Sequence, residues 1–116
     1  MSDTIDIDEL VARLADKDLA VLDVRTTTEY DGTTGYACDP RQGHIPGSRN
    51  VDIADLLQIA PEEVRRVVGL PEGAEIVTYC HSGARSGVAA MVLRGAGYRA
   101  RNYPGSWHEW SRASPR

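Results

Sequence analysis

At residues 75–90 the chain reads EIVTYCHSGARSGVAA, and this stretch decides the fold. An apolar β-type run ends at Cys80, and an Ala/Val-rich segment typical of a helix begins a few residues later. A strand that feeds a tight loop and then a helix N-terminus directs unpaired backbone N–H groups and the positive end of the helix dipole at one point. We therefore expect Cys80 to be held as a thiolate, with Arg85 in the same loop adding to the effect. The pattern predicts a nucleophilic cysteine that handles small anions.

Length and composition indicate one ordinary globular domain over residues 1–116. The chain is long enough for a single core, and 41% hydrophobic with 26% charged residues is typical of globular proteins. A formal charge of −4 without a basic block argues against nucleic acid as a partner. No apolar run approaches the roughly 18 residues of a membrane span, and the acidic start of the chain lacks the features of a signal peptide. We expect a cytoplasmic protein that binds neither membrane nor nucleic acid.

The two cysteines, Cys38 and Cys80, give little support to a disulfide or a metal site. A reducing compartment disfavours a bond between them. The three histidines, His44, His81 and His108, show no metal-ligand spacing with the cysteines. We therefore expect no metal.

The rest of the pattern alternates strands with helices. Strands are predicted at 19–24, 49–52, 74–79 and 98–103, and helices at 6–15, 26–30, 53–59, 61–68 and 86–95. This alternation predicts an α/β domain with a central parallel sheet of about five strands and helices on both faces. The final segment, with Trp107 and Trp110, is expected to close over the core rather than to bind substrate, and the tail to Arg116 is expected to fray.

Four motifs in order produce a specific likeness. They are Leu22-Asp23-Val24-Arg25 with Glu29-Tyr30, Gly43-His44-Ile45-Pro46-Gly47-Ser48 with Asn50, the loop from Tyr79 to Ser86, and Asn102-Tyr103-Pro104-Gly105 with Trp110. From about Leu10 to Arg112 the chain resembles the rhodanese homology domain of sulfurtransferases. The resemblance implies an α/β fold with a central parallel sheet and a cysteine that carries sulfane sulfur as a persulfide.

The implied function is a thiosulfate-type sulfurtransferase. It would move sulfur from a small anionic donor to a thiol or to cyanide through a persulfide on Cys80, with no other cofactor. Alternatives are a low-turnover persulfide carrier for a dedicated partner, and a phosphatase-like or arsenate-reductase-like enzyme. Four residues separate Cys80 from Arg85, one fewer than in the related phosphatases and arsenate reductases, which favours sulfur transfer. The intact cysteine argues against a non-catalytic interaction module.

The resemblance also implies roles for the residues around the catalytic Cys80. Substrate-binding positions are His81, Ser82, Gly83, Ala84, Arg85 and Ser86, whose backbone N–H groups would stabilise thiolate and persulfide. Arg85 is expected both to brace the loop and to offer its charge to the donor's sulfonate; the alternative is that it only braces the loop, paired with a carboxylate such as Asp23. His81 and Ser82 either tune donor choice or form a solvated rim. Ser86 is expected to cap the helix with its N–H facing the sulfur.

Other motif residues are expected to support the loop. Asp23, Arg25 and Glu29 are predicted to form a structural charge network beneath it. His44 is expected to hold its turn by hydrogen bonding rather than to act as a base.

Residues 31–42 form a long irregular segment, and loops of that length are often functional. Compact single-domain relatives lack this insertion, which is similar to one in the catalytic half of two-domain sulfurtransferases. Arg41 is therefore a candidate donor contact, with a solvated surface arginine as the alternative. Glu29 stands where the two-domain thiosulfate and mercaptopyruvate sulfurtransferases often carry an arginine, which disfavours mercaptopyruvate as the donor. Cys38 is either a resolving thiol for Cys80 or incidental.

Overall fold

The structure is a computed structural model and describes residues 2–113. The strands are β1 (Leu19–Asp23), β2 (Arg49–Asn50), β3 (Glu75–Tyr79) and β4 (Arg99–Asn102). The helices are α1 (Ile7–Arg13), α2 (Thr27–Asp31), α3 (Ile53–Leu56), α4 (Pro61–Val68), α5 (Ala84–Gly95) and α6 (Ser106–Arg112). The tail that was expected to fray lies, from residue 114 onward, outside the described residues.

The strands form one parallel sheet in the order β2-β1-β3-β4. Asp23 pairs with Tyr79 on one side and with Asn50 on the other, so three strands end at the same edge. Within residues 2–113 the sheet has four strands instead of about five. Next to β4, Thr4 pairs with Asn102 in a single parallel bridge, and one bridge is too short to form a fifth strand.

Each face of the sheet carries its own apolar layer. Val21 and Val77 point into a cluster shared with α1 and α6. Their neighbours Leu22 and Ile76 point the other way, into a cluster built with α3, α4 and α5. Because successive side chains of a strand alternate between faces, a sheet covered on both sides needs the near-continuous apolar runs of β1 and β3. The predicted α/β architecture is confirmed.

Local signals explain why several helices begin where they do. The Asp6 carboxylate accepts a hydrogen bond from the Glu9 N–H at 2.9 Å and caps α1. Thr26 and Glu29 bond reciprocally to each other's backbone N–H groups at the start of α2. Pro61 opens α4 without the loss of a helical hydrogen bond. No helix within residues 2–113 is both long and apolar enough to cross a membrane.

Candidate active site

Cys80 directly follows β3, and its sulfur lies at the N-terminus of α5. The residue is 1% exposed. Its Sγ accepts hydrogen bonds from the backbone N–H of Gly83 at 3.1 Å and of Ser86 at 3.4 Å. The Ser86 hydroxyl donates a third at 3.3 Å. The loop from Cys80 to Ser86 therefore surrounds a single sulfur atom with hydrogen-bond donors.

Gly83 makes this geometry possible. Its φ of 96° lies in the left-handed region, and a Cβ at this position would lie 2.7 Å from the Pro104 carbonyl oxygen. Gly83 is the N-cap of α5, so the helix starts two residues earlier than predicted. The predicted capping role of Ser86 is wrong, because its hydroxyl is bonded to Cys80 inside the first turn, whereas the prediction that its N–H faces the sulfur is confirmed.

Opposing effects act on the ionisation of Cys80. Burial raises the pKa of the thiol, since it penalises the charged form. The three hydrogen bonds from the Ser86 hydroxyl and from the backbone N–H groups of Ser86 and Gly83, with a smaller contribution from the Ser82 N–H, outweigh burial, so the pKa lies below its usual value. The structure thus favours the thiolate, which is the nucleophilic form of cysteine.

The first peptides of the loop are held by the start of α6. The backbone N–H of Cys80 donates to the Ser106 hydroxyl at 3.1 Å, and that hydroxyl donates to the Tyr103 carbonyl at 2.9 Å. The N–H groups of Trp107 and His108 donate to the carbonyls of Cys80 and His81, both at 2.9 Å. Sequence reasoning missed Ser106; its place directly after the Pro104-Gly105 turn was the available signal.

Arg85 extends from the loop and forms a bidentate ion pair with Glu29 of α2. The two N···O distances are 2.9 and 3.1 Å. Burial raises the pKa of Glu29, but Arg85 and the Thr26 cap outweigh burial and lower it to about 2. The expected carboxylate partner is present, but it is Glu29 and not Asp23, because the Asp23 carboxylate is bonded to Arg25. The Arg85 guanidinium therefore braces the loop, and its contact with the donor stays a prediction.

Asp23 and Arg25 form a buried pair beneath the loop, with side chains 0% and 1% exposed. Arg25 Nε and Nη2 donate to the carboxylate at 2.9 and 2.6 Å, and Nη2 also donates to the Gly43 carbonyl at 2.6 Å. The guanidinium lies 5.6 Å from the ring centre of Tyr79 and 5.2 Å from that of Trp107. The predicted support is thus present as two separate pairs, Asp23–Arg25 and Glu29–Arg85, rather than one network.

Two further expectations concern the surroundings of the site. The ring of His44 stacks on Tyr30 at 3.8 Å, and its Nδ1 lies 2.8 Å from the Tyr30 carbonyl oxygen, so it holds the turn as expected. Trp107 and Trp110 are buried in the core, also as expected.

The insertion at 31–42 is fastened to α6. The Arg41 guanidinium donates to the carbonyls of Trp110 and Ser111 at 2.8 and 3.2 Å. In return, Trp107 Nε1 donates to the Arg41 carbonyl at 2.9 Å. Arg41 thus satisfies carbonyls at the end of a helix, and its role as a donor contact stays a prediction. The Cys38 residue is exposed, and its role as a resolving thiol also stays a prediction.

The insertion also reaches the catalytic loop at His81. Tyr36 stacks on the His81 ring with centroids 3.8 Å apart. Asp39, whose side chain is fully buried, places Oδ2 2.9 Å from His81 Nε2, and its Oδ1 accepts from Arg112 at 2.8 Å. Asp39 was missed from sequence, because nothing in an irregular loop marks one carboxylate as buried.

Asp39, His81 and His108 place their ligand atoms within 4.8 Å of one another, which is close enough to hold a metal ion. Sequence spacing gave no sign of this group, since its members come from three distant segments. Arg112 lies in the same cluster, 2.8 Å from Asp39 Oδ1 and 3.0 Å from His108 Nδ1. A metal ion would have to displace this positive charge, so we describe the group as an ion-pair cluster. The expectation of no metal stays a prediction.

The rhodanese-like domain family matches residues 6–113. The chain belongs to this family. A thiosulfate sulfurtransferase from Pseudomonas aeruginosa is 38% identical over 110 residues, which cover 87% of this chain and 40% of that protein. Among solved structures, a "Probable Thiosulfate Sulfurtransferase" is 45% identical with a TM-score of 0.82, over 95% of this chain and 45% of its own. A human single-domain sulfurtransferase is 28% identical with a TM-score of 0.73, over 99% of this chain and 100% of its own.

These relatives place the rhodanese-like domain in two settings. The match to this chain spans less than half of the bacterial sulfurtransferase and the whole of the human single-domain structure. The same fold therefore occurs as part of a larger chain and as a complete one.

Proposed function

We propose that this rhodanese-like domain is a thiosulfate-type sulfurtransferase that works through a persulfide on Cys80. The observation that carries the proposal is the set of three donors on Cys80 Sγ, two backbone N–H groups and the Ser86 hydroxyl. Donors fixed before the reaction stabilise negative charge on sulfur without further reorganisation. The sulfurtransferase relatives support the same assignment.

In the first half of the reaction, the Cys80 thiolate attacks the outer sulfur of thiosulfate. A bond forms between Sγ and that sulfur, the bond to the sulfonate sulfur breaks, and sulfite leaves with the electron pair. In the second half, a thiol or cyanide takes the outer sulfur and the electron pair returns to Cys80. The lowered pKa of the Cys80 thiol supports both halves, because the thiolate is first the nucleophile and then the leaving group.

The size of the loop supports sulfur over phosphorus as the transferred atom. Both Gly83 and Ser86 already bond to Cys80 Sγ, so the ring of N–H groups closes around one sulfur atom. A tetrahedral phosphate or arsenate needs a wider ring.

We extend the proposal to a cytoplasmic setting, because a reducing compartment keeps the catalytic cysteine as a free thiol and not as a disulfide. There the small anionic donor would be thiosulfate or a related compound, and the acceptor would be a thiol.

The experiment is incubation with thiosulfate followed by intact mass measurement. We expect the protein to gain one sulfur atom, to lose it on addition of cyanide, and to gain none as the Cys80→Ala variant. Cys38→Ala is the matched control, since it removes the other cysteine and should load like the wild type. A wild-type protein that gains no sulfur, or a Cys80→Ala variant that loads equally, would overturn the proposal. Turnover with cyanide then separates an enzyme from a slow persulfide carrier.

A further inference from the structure

The contact between Asp39 and His81 is more than a surface ion pair. The Asp39 side chain is 0% exposed and that of His81 is 13% exposed. Asp39 Oδ2 and His81 Nε2 lie 2.9 Å apart but off the hydrogen-bond axis, and neither has another hydrogen-bond partner within residues 2–113. A buried polar atom without a partner is costly, so a small rotation that aligns Nε2–H on Oδ2 is favoured.

The imidazole ring is restrained on its other sides as well. Tyr36 covers one face at 3.8 Å, and His108 meets the ring at 5.5 Å in an edge contact. The His81 carbonyl is fixed by the N–H of His108 at 2.9 Å. The imidazole is therefore clamped in a defined orientation at the position directly after the nucleophile.

Only one ring atom remains available for chemistry. Nδ1 of His81 makes no hydrogen bond to the part of the chain that the structure describes, and the side chain is 13% exposed. Which nitrogen of a neutral imidazole carries the proton is set by the partner of the other nitrogen. With Nε2–H directed at Asp39, Nδ1 is a proton acceptor.

The negative charge of Asp39 is balanced from a different direction. Arg112 donates to Oδ1 at 2.8 Å and leaves Oδ2 to His81. A carboxylate that orients a histidine, which in turn takes a proton from a nucleophile, is a recurring catalytic arrangement.

We propose that His81 is the general base for the thiol acceptor and that Asp39 is its positioning residue. This inference rests on the proposed sulfurtransferase function and deepens its second half. The acceptor it specifies is a thiol that reaches the site in its protonated form.

His81 Nδ1 takes the proton of the acceptor thiol, and the resulting thiolate attacks the outer sulfur of the Cys80 persulfide. A bond forms between the two sulfurs, the bond between the outer sulfur and Cys80 Sγ breaks, and its electron pair stays on Sγ. The products are the acceptor persulfide, the Cys80 thiolate and a protonated His81, which returns its proton to solvent. No oxidant or reductant is required.

The test loads the full chain with thiosulfate and then measures discharge by two acceptors, a thiol and sulfite. Sulfite at mildly alkaline pH has no proton to remove, so it needs no base. We expect His81→Asn to slow discharge by the thiol about 100-fold and Asp39→Asn about 10-fold, with discharge by sulfite slowed far less in both. Asp31→Asn is the matched control, because Asp31 is an exposed aspartate that bonds to Thr33 within the same segment.

Two further measurements separate a base from a structural role. Thiols of lower pKa should lose less rate in His81→Asn, since they need less help in ionising. The double variant Asp39→Asn/His81→Asn should be no slower with the thiol than His81→Asn alone, because Asp39 acts through His81.

Equal loss of discharge by the thiol and by sulfite in both variants would overturn the inference, since it would indicate general damage to the loop. An additive double variant would also overturn it. If the wild-type protein failed to load sulfur at all, the proposed function itself would fall.

Discussion

The catalytic loop and the insertion at 31–42 both border the sulfur site, but they are built in different ways. In the loop, main-chain N–H groups contact the sulfur, and the positive φ of Gly83 sets their direction. In the insertion, side chains make the contacts. The Arg41 guanidinium donates to the Trp110 carbonyl, and the Asp39 carboxylate accepts a hydrogen bond from Arg112. The direction of the main-chain donors depends on Gly83, whose positive φ and lack of a Cβ other residues do not match, whereas each side-chain contact of the insertion can be removed by one substitution. The comparison therefore predicts large effects on activity in the loop and smaller, more selective effects in the insertion.

The largest effect is expected from Gly83→Ala. A Cβ there requires an unfavourable φ and would lie 2.7 Å from Pro104 O, so the loop must shift. We expect loading from thiosulfate to slow about 100-fold, since displacing a reacting group by about 1 Å can cost that much in rate. Gly87→Ala is the matched control, because its Cβ would meet only the Asn102 side chain at 3.5 Å. It should load normally and raise stability by up to about 1 kcal/mol. Equal loading by both variants would contradict the account of the loop.

A smaller effect is expected from Ser86→Ala, which removes the hydroxyl donor at 3.3 Å from Cys80 Sγ. Loss of this hydrogen bond should raise the pKa of Cys80, because the bond favours the thiolate. We expect loading to slow about 10-fold at neutral pH, in keeping with one hydrogen bond to a charged group. The difference in loading rate should shrink at higher pH, where Cys80 is ionised in both the variant and the wild type. A deficit that is constant with pH would show that the hydroxyl acts in another way.

The ion pair between Glu29 and Arg85, which joins the loop to α2, should stabilise the fold in a way that depends on pH. Glu29 has its pKa lowered to about 2 in the folded chain, against about 4.3 when unfolded. The pair therefore stabilises the fold fully above about pH 4.3, and this stabilisation is lost as the pH falls toward 2. We expect Glu29→Gln to lower stability by about 1 kcal/mol at pH 7, with the difference from wild type vanishing in acid.

The control for this measurement is Glu63→Gln, since Glu63 and Arg66 form a pair with 44% and 76% exposed side chains. Exposed pairs contribute little, so this variant should match the wild type across the pH range. Urea unfolding at several pH values measures both. A Glu29→Gln deficit that persists unchanged at low pH would contradict the lowered pKa.

The smallest effect is expected in the insertion, from Arg41→Ala. The change frees the carbonyls of Trp110 and Ser111 at the end of α6, and we expect a loss of about 1 kcal/mol in stability. Thermal unfolding measures this loss, and an unchanged Tm would contradict it. The KM for thiosulfate decides the donor-contact prediction: an unchanged KM would refute it, and a raised KM would support it.

The loop was predictable from sequence because its physics is local. A strand, a glycine and a helix start within a few residues of Cys80 are enough to place N–H groups on the sulfur. The sheet was predictable for the same reason, since the apolar runs of β1 and β3 report burial on both faces.

Partners set by tertiary packing were not predictable in the same way. The sequence suggested Asp23 as the partner of Arg85. The Asp23 carboxylate instead accepts hydrogen bonds from Arg25, which lies two residues further along the chain. The pair of Asp39 and His81 joins positions 42 residues apart through an irregular segment, where no periodicity reports burial. Ser86 reads as a helix cap because serine favours that position, yet here its hydroxyl bonds to the sulfur.

The central claim is that this loop holds Cys80 as a thiolate, and the ionisation of that one group tests it most directly. The measurement is the ultraviolet absorbance of the thiolate as a function of pH in Cys38→Ala protein, with Cys38→Ala/Cys80→Ala as the blank. The account predicts a midpoint clearly below the value of about 8.5 for a free cysteine. A midpoint at or above that value would show that burial outweighs the three hydrogen bonds, and would contradict the account.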